Sequence, residues 1–374
     1  MEQNGRWIGG KYAFVKAEKA ASDLRTNIAR AGDIIVTQRG TMGQVSIVPD
    51  DSFDKEFVIS QSQMAISVDP KCAVRDFVYY YLRSPDFAEY LSHSIIQAGV
   101  PHINLSILRQ APADWPNLGV QKAIASVLGA LDDKIELNQR VNETQEAVAR
   151  AIFKDWFIDF GPTRAKMEGR PPYLAPDIWA LFPDRLDEDG KPEGWVAGKL
   201  LDLCELKRGY DLPTSQRRNG GFPIVSSSGI SGRHDEKMAT CPGVVTGRYG
   251  TIGQVFFIDE DFWPLNTALY VCDFKGHDPR FVYYVISNID FTIYSDKGAV
   301  PGINRNHLHE NPTICPSIAL QTAFARTTQP FFEQQRLNRA ESETLAATRD
   351  LLLPKLMLGE IRVRNVEKAV EAAK

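Results

Sequence analysis

Apolar residues recur at steps of three and four from Val120 to Phe157, at Ile124, Leu128, Leu131, Ile135, Val141, Val148, Ile152 and Trp156. A matching rhythm runs from Leu320 to Leu358, at Phe324, Phe331, Leu345, Leu352 and Leu356. A mean step of about 3.5 predicts two long helices with a coiled-coil seam. Each seam turns polar at its middle, at Asn138, Asn142 and Gln145 in one and at Gln335, Asn338 and Ser342 in the other. Antiparallel pairing would bring these polar patches together and fix the register, at some cost in stability. The alternative is that each helix packs separately on its own domain.

Ahead of each helix the pattern changes to short strand-like runs broken by Gly and Pro, and the runs repeat. Gly32-Asp-Ile-Ile-Val36 leads to Arg39-Gly-Thr-Met-Gly-Gln-Val45, and Pro242-Gly-Val-Val245 leads to Arg248-Tyr-Gly-Thr-Ile-Gly-Gln-Val255. Phe77-Val-Tyr-Tyr-Tyr-Leu82 matches Phe281-Val-Tyr-Tyr-Val-Ile286, both within segments (77–91 and 281–289) that read as helices. Val100-Pro-His-Ile-Asn104 matches Val300-Pro-Gly-Ile-Asn304, and Pro112, Pro116 and Gln121 keep register with Pro312, Pro316 and Gln321. A period near 200 residues is far longer than a solenoid unit, so each copy is a domain followed by a helix.

The expected class is α+β: two similar domains joined by two long antiparallel coiled-coil helices. The expected boundaries are 1–118 for the first domain, 119–160 for its helix, and 161–193 for a proline-rich linker lying along the surface. The second domain follows at 194–318, its helix at 319–362 and a tail at 363–374. The second domain has about 55 residues before its Gly-Thr loop and the first only 39 before Gly40. By that comparison the first copy is expected to lack an opening piece of roughly 25–30 residues.

Charge at first argues against a polyanion partner, because the chain carries a net −4. Its distribution softens this: residues 1–49 and 204–255 each hold seven Lys/Arg against four Asp/Glu. Local basic patches on an acidic protein can still bind DNA. The five cysteines (72, 204, 241, 272, 315) form no C-x-x-C pair, as expected of reduced thiols. No run of about 18 apolar residues and no signal pattern is present, and a cytoplasmic location is expected.

The Gly-Thr loops, Gly40 to Gln44 and Gly250 to Gln254, permit positive φ and close backbone approach. They suit either a plain hairpin turn or a phosphate cradle, with Arg39, Thr41 and Gln44 in one copy and Arg248, Thr251 and Gln254 in the other. A loop shared by both copies can set register on a DNA backbone but cannot encode two different sequences. The code is then expected where the copies diverge. In the first copy these positions are His102, Leu105 and Ser106, preceded by Arg6, Trp7, Lys11 and Tyr12. In the second they are Lys207, Arg208, Arg217, Arg218, Asn219, Arg305 and Asn306. Arg, Asn and Gln can pair bidentately with purine edges. Asn104 and Asn304 suit DNA contact or the closing of a turn equally well.

Catalytic patterns are sparse. The Arg170-Pro-Pro-Tyr173 string lacks the Asn or Asp that an adenine methyltransferase loop needs. No phosphate-binding Gly-x-x-x-x-Gly-Lys-Ser/Thr loop and no nuclease carboxylate cluster is found. His307 and His309 could share a strand face, but no third metal ligand stands near them.

With these motifs, the Leu131-Asp-Asp-Lys-Ile-Glu-Leu-Asn138 segment and the Leu351-Leu-Leu-Pro-Lys-Leu-Met-Leu-Gly-Glu-Ile361 ending, the chain resembles the specificity subunit of type I restriction–modification systems. The resemblance covers nearly the whole chain. It implies two target-recognition domains, each reading one half of a split DNA site, and no catalysis on this chain. It also implies that the helices space the readers and dock two methyltransferase subunits, with Leu131, Ile135, Asn138, Leu345 and Leu352 as docking candidates. Restriction–translocase subunits would join for cleavage, and S-adenosylmethionine, ATP and Mg²⁺ would belong to those partners. A seam of about 30 residues spans about 45 Å, or roughly 13 base-pair steps, which suits a ruler. The competing expectations are a remnant that only associates with methyltransferase and a protein-interaction scaffold.

Overall fold

The computed structural model describes residues 5–9, 13–39, 43–50, 56–94, 102–294 and 302–363. Thr41, with Gly40 and Met42, lies outside the described residues, as do Lys11, Tyr12, the Val-Pro pairs 100–101 and 300–301, and the tail from 364. The chain forms two compact units, one of residues 1–140 with 338–374 and one of residues 141–337.

In the first unit, α1 (Ala17–Ala21) and β1 (Ile28–Arg30) precede β2 (Ile34–Thr37), β3 (Val45–Ile47), β4 (Glu56–Val58) and β5 (Gln63–Ile66). Then come α2 (Arg75–Tyr81), α3 (Pro85–Ser94), α4 (Leu105–Arg109) and the start of α5 (Leu118–Phe157). The antiparallel sheet runs β3-β2-β5, with Val36 opposite both Val45 and Met64. All four residues of β2 are buried because its two faces feed different cores. Ile34 and Val36 join Phe77, Tyr80, Ile124 and Leu128, whereas Ile35 joins Ala29, Val48 and Ile59. The helix expected over 77–91 is two helices. Pro85 cannot continue α2, and Ser84 Oγ accepts the Phe87 N–H at 3.3 Å to start α3.

The second unit opens with the end of α5, α6 (Gly161–Met167) and α7 (Pro176–Trp179). It continues through β6 (Val196–Lys199), α8 (Leu200–Leu203), β7 (Glu205–Arg208), β8 (Phe222–Ser226), β9 (Gly229–His234), β10 (Gly243–Gly247), β11 (Val255–Ile258), β12 (Trp263–Pro264) and β13 (Ala268–Asp273). It ends with α9 (Pro279–Ser287), α10 (Arg305–His309), β14 (Pro312–Cys315) and the start of α11 (Ile318–Met357). Its main sheet runs β11-β10-β13-β7, beside the smaller sheets β12-β8-β9 and β14-β6. The two main sheets correspond strand for strand except that, among the described residues, β5 carries no counterpart of β7. The 161–193 segment lies on the second unit and contributes to its core: the Phe182 ring meets Trp156 edge-on at 5.3 Å.

Each unit takes one half of α5 and one half of α11, and within each unit the halves run antiparallel. In the first unit Asp132 meets Arg349 at 2.5 Å, Lys134 meets Glu341 at 3.1 Å, and Asn138 Nδ2 donates to Glu341 at 2.8 Å and to Ser342 Oγ at 3.3 Å. In the second, Gln335 Nε2 donates to the Asn142 carbonyl at 3.5 Å, and the Phe153 ring lies 5.6 Å from that of Phe324. The polar patches therefore meet, and separate packing of the two helices is excluded within each unit. Two details differ from the sequence reading. Val148 is exposed and the next residue, Ala149, is buried instead. Asn138, expected in the polar seam and also as a docking residue, is buried inside the pair, so it serves the register.

Candidate nucleic-acid interface

In the second unit, β7 pairs with β13 so that Arg208 lies opposite Leu269 and Lys207 opposite Tyr270. The end of β10 delivers Arg248, whose backbone N–H donates to Thr267 O at 2.8 Å while its carbonyl accepts from Ile303 N at 3.0 Å. Ile303 is followed by Asn304, the N-cap of α10, whose side-chain oxygen accepts the Asn306 N–H at 2.9 Å. Asn104 caps α4 in the same way, accepting from Ile107 N at 3.0 Å. Capping is the alternative the sequence left open for both asparagines, and it engages the oxygen of each.

These segments surround a cavity of about 520 Å³ lined by Lys207, Arg208, Arg248, Tyr249, Asn304 and Arg305. Four of the nine residues that line it are cations. Among the described residues, Lys207, Arg248 and Arg305 have no carboxylate within ion-pair distance. Arg208 has only a loose exposed contact of 3.5 Å with Asp211. Uncompensated positive charge converging on one cavity favours an anionic occupant. The guanidinium of Arg248 lies 4.4 Å from the Tyr249 ring centroid, and Lys207 Nζ lies 5.5 Å from that of Tyr210, so aromatic faces hold both cations in place.

His309 ties this arrangement together. Its Nε2 accepts the Leu206 N–H at 2.9 Å, locking α10 to β7 and hence Arg305 near Lys207 and Arg208. That bond requires an unprotonated Nε2, and burial together with the Arg305 charge lowers the His309 pKa. His307 and His309 therefore lie on a helix, not on a strand as expected, with His307 exposed and His309 buried. No group of three or more potential metal ligands occurs among the described residues.

Other expected site residues lie elsewhere. Arg218 is tied up by Asp235 and Glu236, both at 2.6 Å, and Arg217 is half-buried and does not line the cavity. Asn306 is exposed on α10, next to the lining residues. The Gly-Thr loops are hairpin connections, β2 to β3 and β10 to β11. Gly43, Gly250 and Gly253 adopt φ of 76°, 80° and 86°, as the sequence required. The main-chain oxygen of Gln44 accepts from Thr37 N at 2.9 Å and that of Gln254 from Thr246 Oγ1 at 3.0 Å, which anchors each loop.

The sequence alignment paired Arg39 with Arg248, which needs a one-residue gap. The hydrogen bonds show otherwise. Gln38 N donates to Ser62 O at 2.8 Å as Arg248 N does to Thr267 O, and Ile103 N donates to Gln38 O at 3.2 Å as Ile303 N does to Arg248 O. Val36 pairs with Val45 as Thr246 does with Val255. Arg248 thus corresponds to Gln38, and Arg39 corresponds to Tyr249. Arg39 forms a bridge with His102, and Tyr249 forms the same bridge with Gly302. Glycine is required there because a Cβ on residue 302 would lie 2.4 Å from the Tyr249 ring. Gln38 and Tyr249 escaped the sequence reading, although an ungapped match of Gly-Thr-x-Gly-Gln-Val exposes both.

Residues 1–146 and 192–347 match the family described as the type I restriction modification DNA specificity domain. The chain belongs to this family. Among the relatives of this specificity chain, the type I restriction enzyme MjaIX specificity subunit of Methanocaldococcus jannaschii is 25% identical, over 93% of this chain and 82% of its own. The HindI specificity subunit of Haemophilus influenzae is 24% identical, over 89% and 87%. The crystal structure of the type I S subunit from M. genitalium has 17% identity and a TM-score of 0.48, covering 95% of this chain and 89% of that one. No helix among the described residues is long and apolar enough to cross a membrane.

Proposed function

We propose that this chain is the non-catalytic DNA-recognition subunit of a cytoplasmic type I restriction–modification complex, each domain reading one half of a bipartite site. The observation that carries this reading is the cavity of the second unit, where the otherwise unpaired Lys207, Arg248 and Arg305 converge around an amide. Together with the family, it favours the phosphate-lined edge of a duplex over a small neutral ligand. The 194–318 domain supplies Lys207, Arg208, Arg248, Asn304, Arg305 and Asn306 to this surface. For the other half-site, the 1–118 domain supplies a surface of its own with Arg39, Gln44, His102 and, beyond the described residues, Thr41.

The paired helices act as spacer and as the dock for methyltransferase subunits. Exposed Leu137 and Leu337, each beside a buried seam asparagine, support that role together with the half-buried Leu131, Ile135, Leu345 and Leu352. Restriction–translocase subunits complete the complex, and S-adenosylmethionine, ATP and Mg²⁺ are used by those partners. The test is duplex binding by the chain with its methyltransferase as salt is varied. Lys207→Ala and Arg208→Ala are expected to weaken binding, and the salt slope falls by about one for each lost phosphate contact. Unchanged binding in both variants removes the cavity from the interface.

A further inference from the structure

The corrected register places two different side chains on one scaffold position, and from this we infer that Gln38 and Arg248 are base-reading residues, one in each domain. The inference rests on the reading of the chain as a DNA-recognition protein and adds the specificity of that surface. At both positions the backbone N–H and carbonyl are fixed by equivalent bonds, to Ser62 and Ile103 around Gln38 and to Thr267 and Ile303 around Arg248. Each residue leaves its strand immediately before a Gly-Thr hairpin loop. The scaffold is common to the two copies, and the side chain on it is not.

The two side chains differ in the way that sequence discrimination requires. An Arg fork donates two hydrogen bonds to the O6 and N7 of guanine, whereas a Gln amide both accepts from N6 and donates to N7 of adenine. Arg248 is held for this by the Tyr249 ring at 4.4 Å. It has no carboxylate competitor among the described residues, and it lines the cavity beside Asn304. Gln38 donates one amide hydrogen to the Gln61 carbonyl, which leaves Oε1 and the second N–H for a base. The neighbouring position diverges as well, with Arg39 opposite His102 in one copy and Tyr249 opposite Gly302 in the other. A loop shared by both copies cannot hold the code, but Gln38 and Arg248 are not shared and can.

The experiment uses the full chain with its methyltransferase and a pool of randomised duplexes, sequencing the fraction retained. Wild type is expected to enrich one split motif. In Arg248→Gln, one position in one half changes from G·C towards A·T by about tenfold in relative preference, and the other half stays as it was. Gln38→Arg gives the converse change in the other half. Arg248→Lys keeps the charge but lacks the rigid fork, so it weakens the guanine preference while retaining the salt slope. An even loss of affinity across all sequences in Arg248→Gln, with the motif intact, makes Arg248 a phosphate contact and overturns the inference. Failure of wild type to enrich any motif is a separate result, and it removes the DNA-recognition reading itself.

Discussion

Asp132 is the residue whose loss the structure penalises most clearly. Its carboxylate, 6% exposed, accepts from the Tyr80 hydroxyl at 2.7 Å and pairs with Arg349 at 2.5 Å, whose own side chain is 14% exposed. Tyr80 comes from α2, Asp132 from α5 and Arg349 from α11, so one carboxylate joins three elements of the first unit. Asp132→Ala leaves a mostly buried guanidinium with only the exposed Asp350 as counter-charge, and a buried phenol without its acceptor. Breaking a buried pair from one side costs about 3–5 kcal/mol, whereas removing both partners costs less. The pair Asp132→Ala/Arg349→Ala is therefore expected to be more stable than Asp132→Ala alone. Hydrogen exchange at amides of α2 and of the last turns of α11 reads this locally. A loss of about 3 kcal/mol raises exchange through opening roughly 100-fold. Asp350→Ala is the control, because its carboxylate is 63% exposed and surface pairs contribute little. If Asp132→Ala accelerates exchange less than about fivefold, or if the two substitutions simply add, the buried pair is not what holds these elements together.

Further expectations concern the second unit and the seam. His309 has a folded pKa below its unfolded value, so its contribution to stability is complete above about pH 6.5 and is lost as pH falls through the lowered value. Thermal melts from pH 8 to 5 should show that loss, and His309→Gln should flatten it; parallel curves for the two proteins would remove His309 as the cause. Gly302→Ala drives a Cβ into the Tyr249 ring at 2.4 Å, with an expected cost of about 1–3 kcal/mol in urea unfolding. Adding Tyr249→Ala should recover most of it, and no recovery would refute the contact. Phe153, 2% exposed among Phe281, Tyr284 and Phe324, should cost about 3–5 kcal/mol as Phe153→Ala in the same measurement.

The helices and the duplication were legible because their signals are periodic and long. Apolar residues stepping through 40-residue elements, and polar positions at matching places in both, left few other arrangements. The meeting of Asn138 with Ser342 followed from that pattern and from antiparallel pairing. The break in the 77–91 helix was also visible, at Pro85, but the apolar rhythm across it concealed the stop. Site residues were harder to read, because their roles depend on partners distant in sequence. Arg218 looked like a DNA contact until Asp235 and Glu236 were seen to neutralise it. His309 was weighed only as a metal ligand beside His307, whereas its ring accepts a bond from the backbone of β7. The equivalence of Gln38 and Arg248 was hidden by a coincidence, since an Arg one position along in the first copy invited a gap. Main-chain hydrogen bonds carry no side-chain identity, and for that reason they settle the alignment.

The central claim is that the cavity of the second unit reads one half of a bipartite DNA site. Mapping methylated bases across the genome of a strain carrying wild type or Arg305→Ala/Asn306→Ala tests it directly. The account predicts one split motif in wild type, with one half relaxed and the other retained in the variant. An identical motif in both strains, or equal loss of both halves, contradicts it.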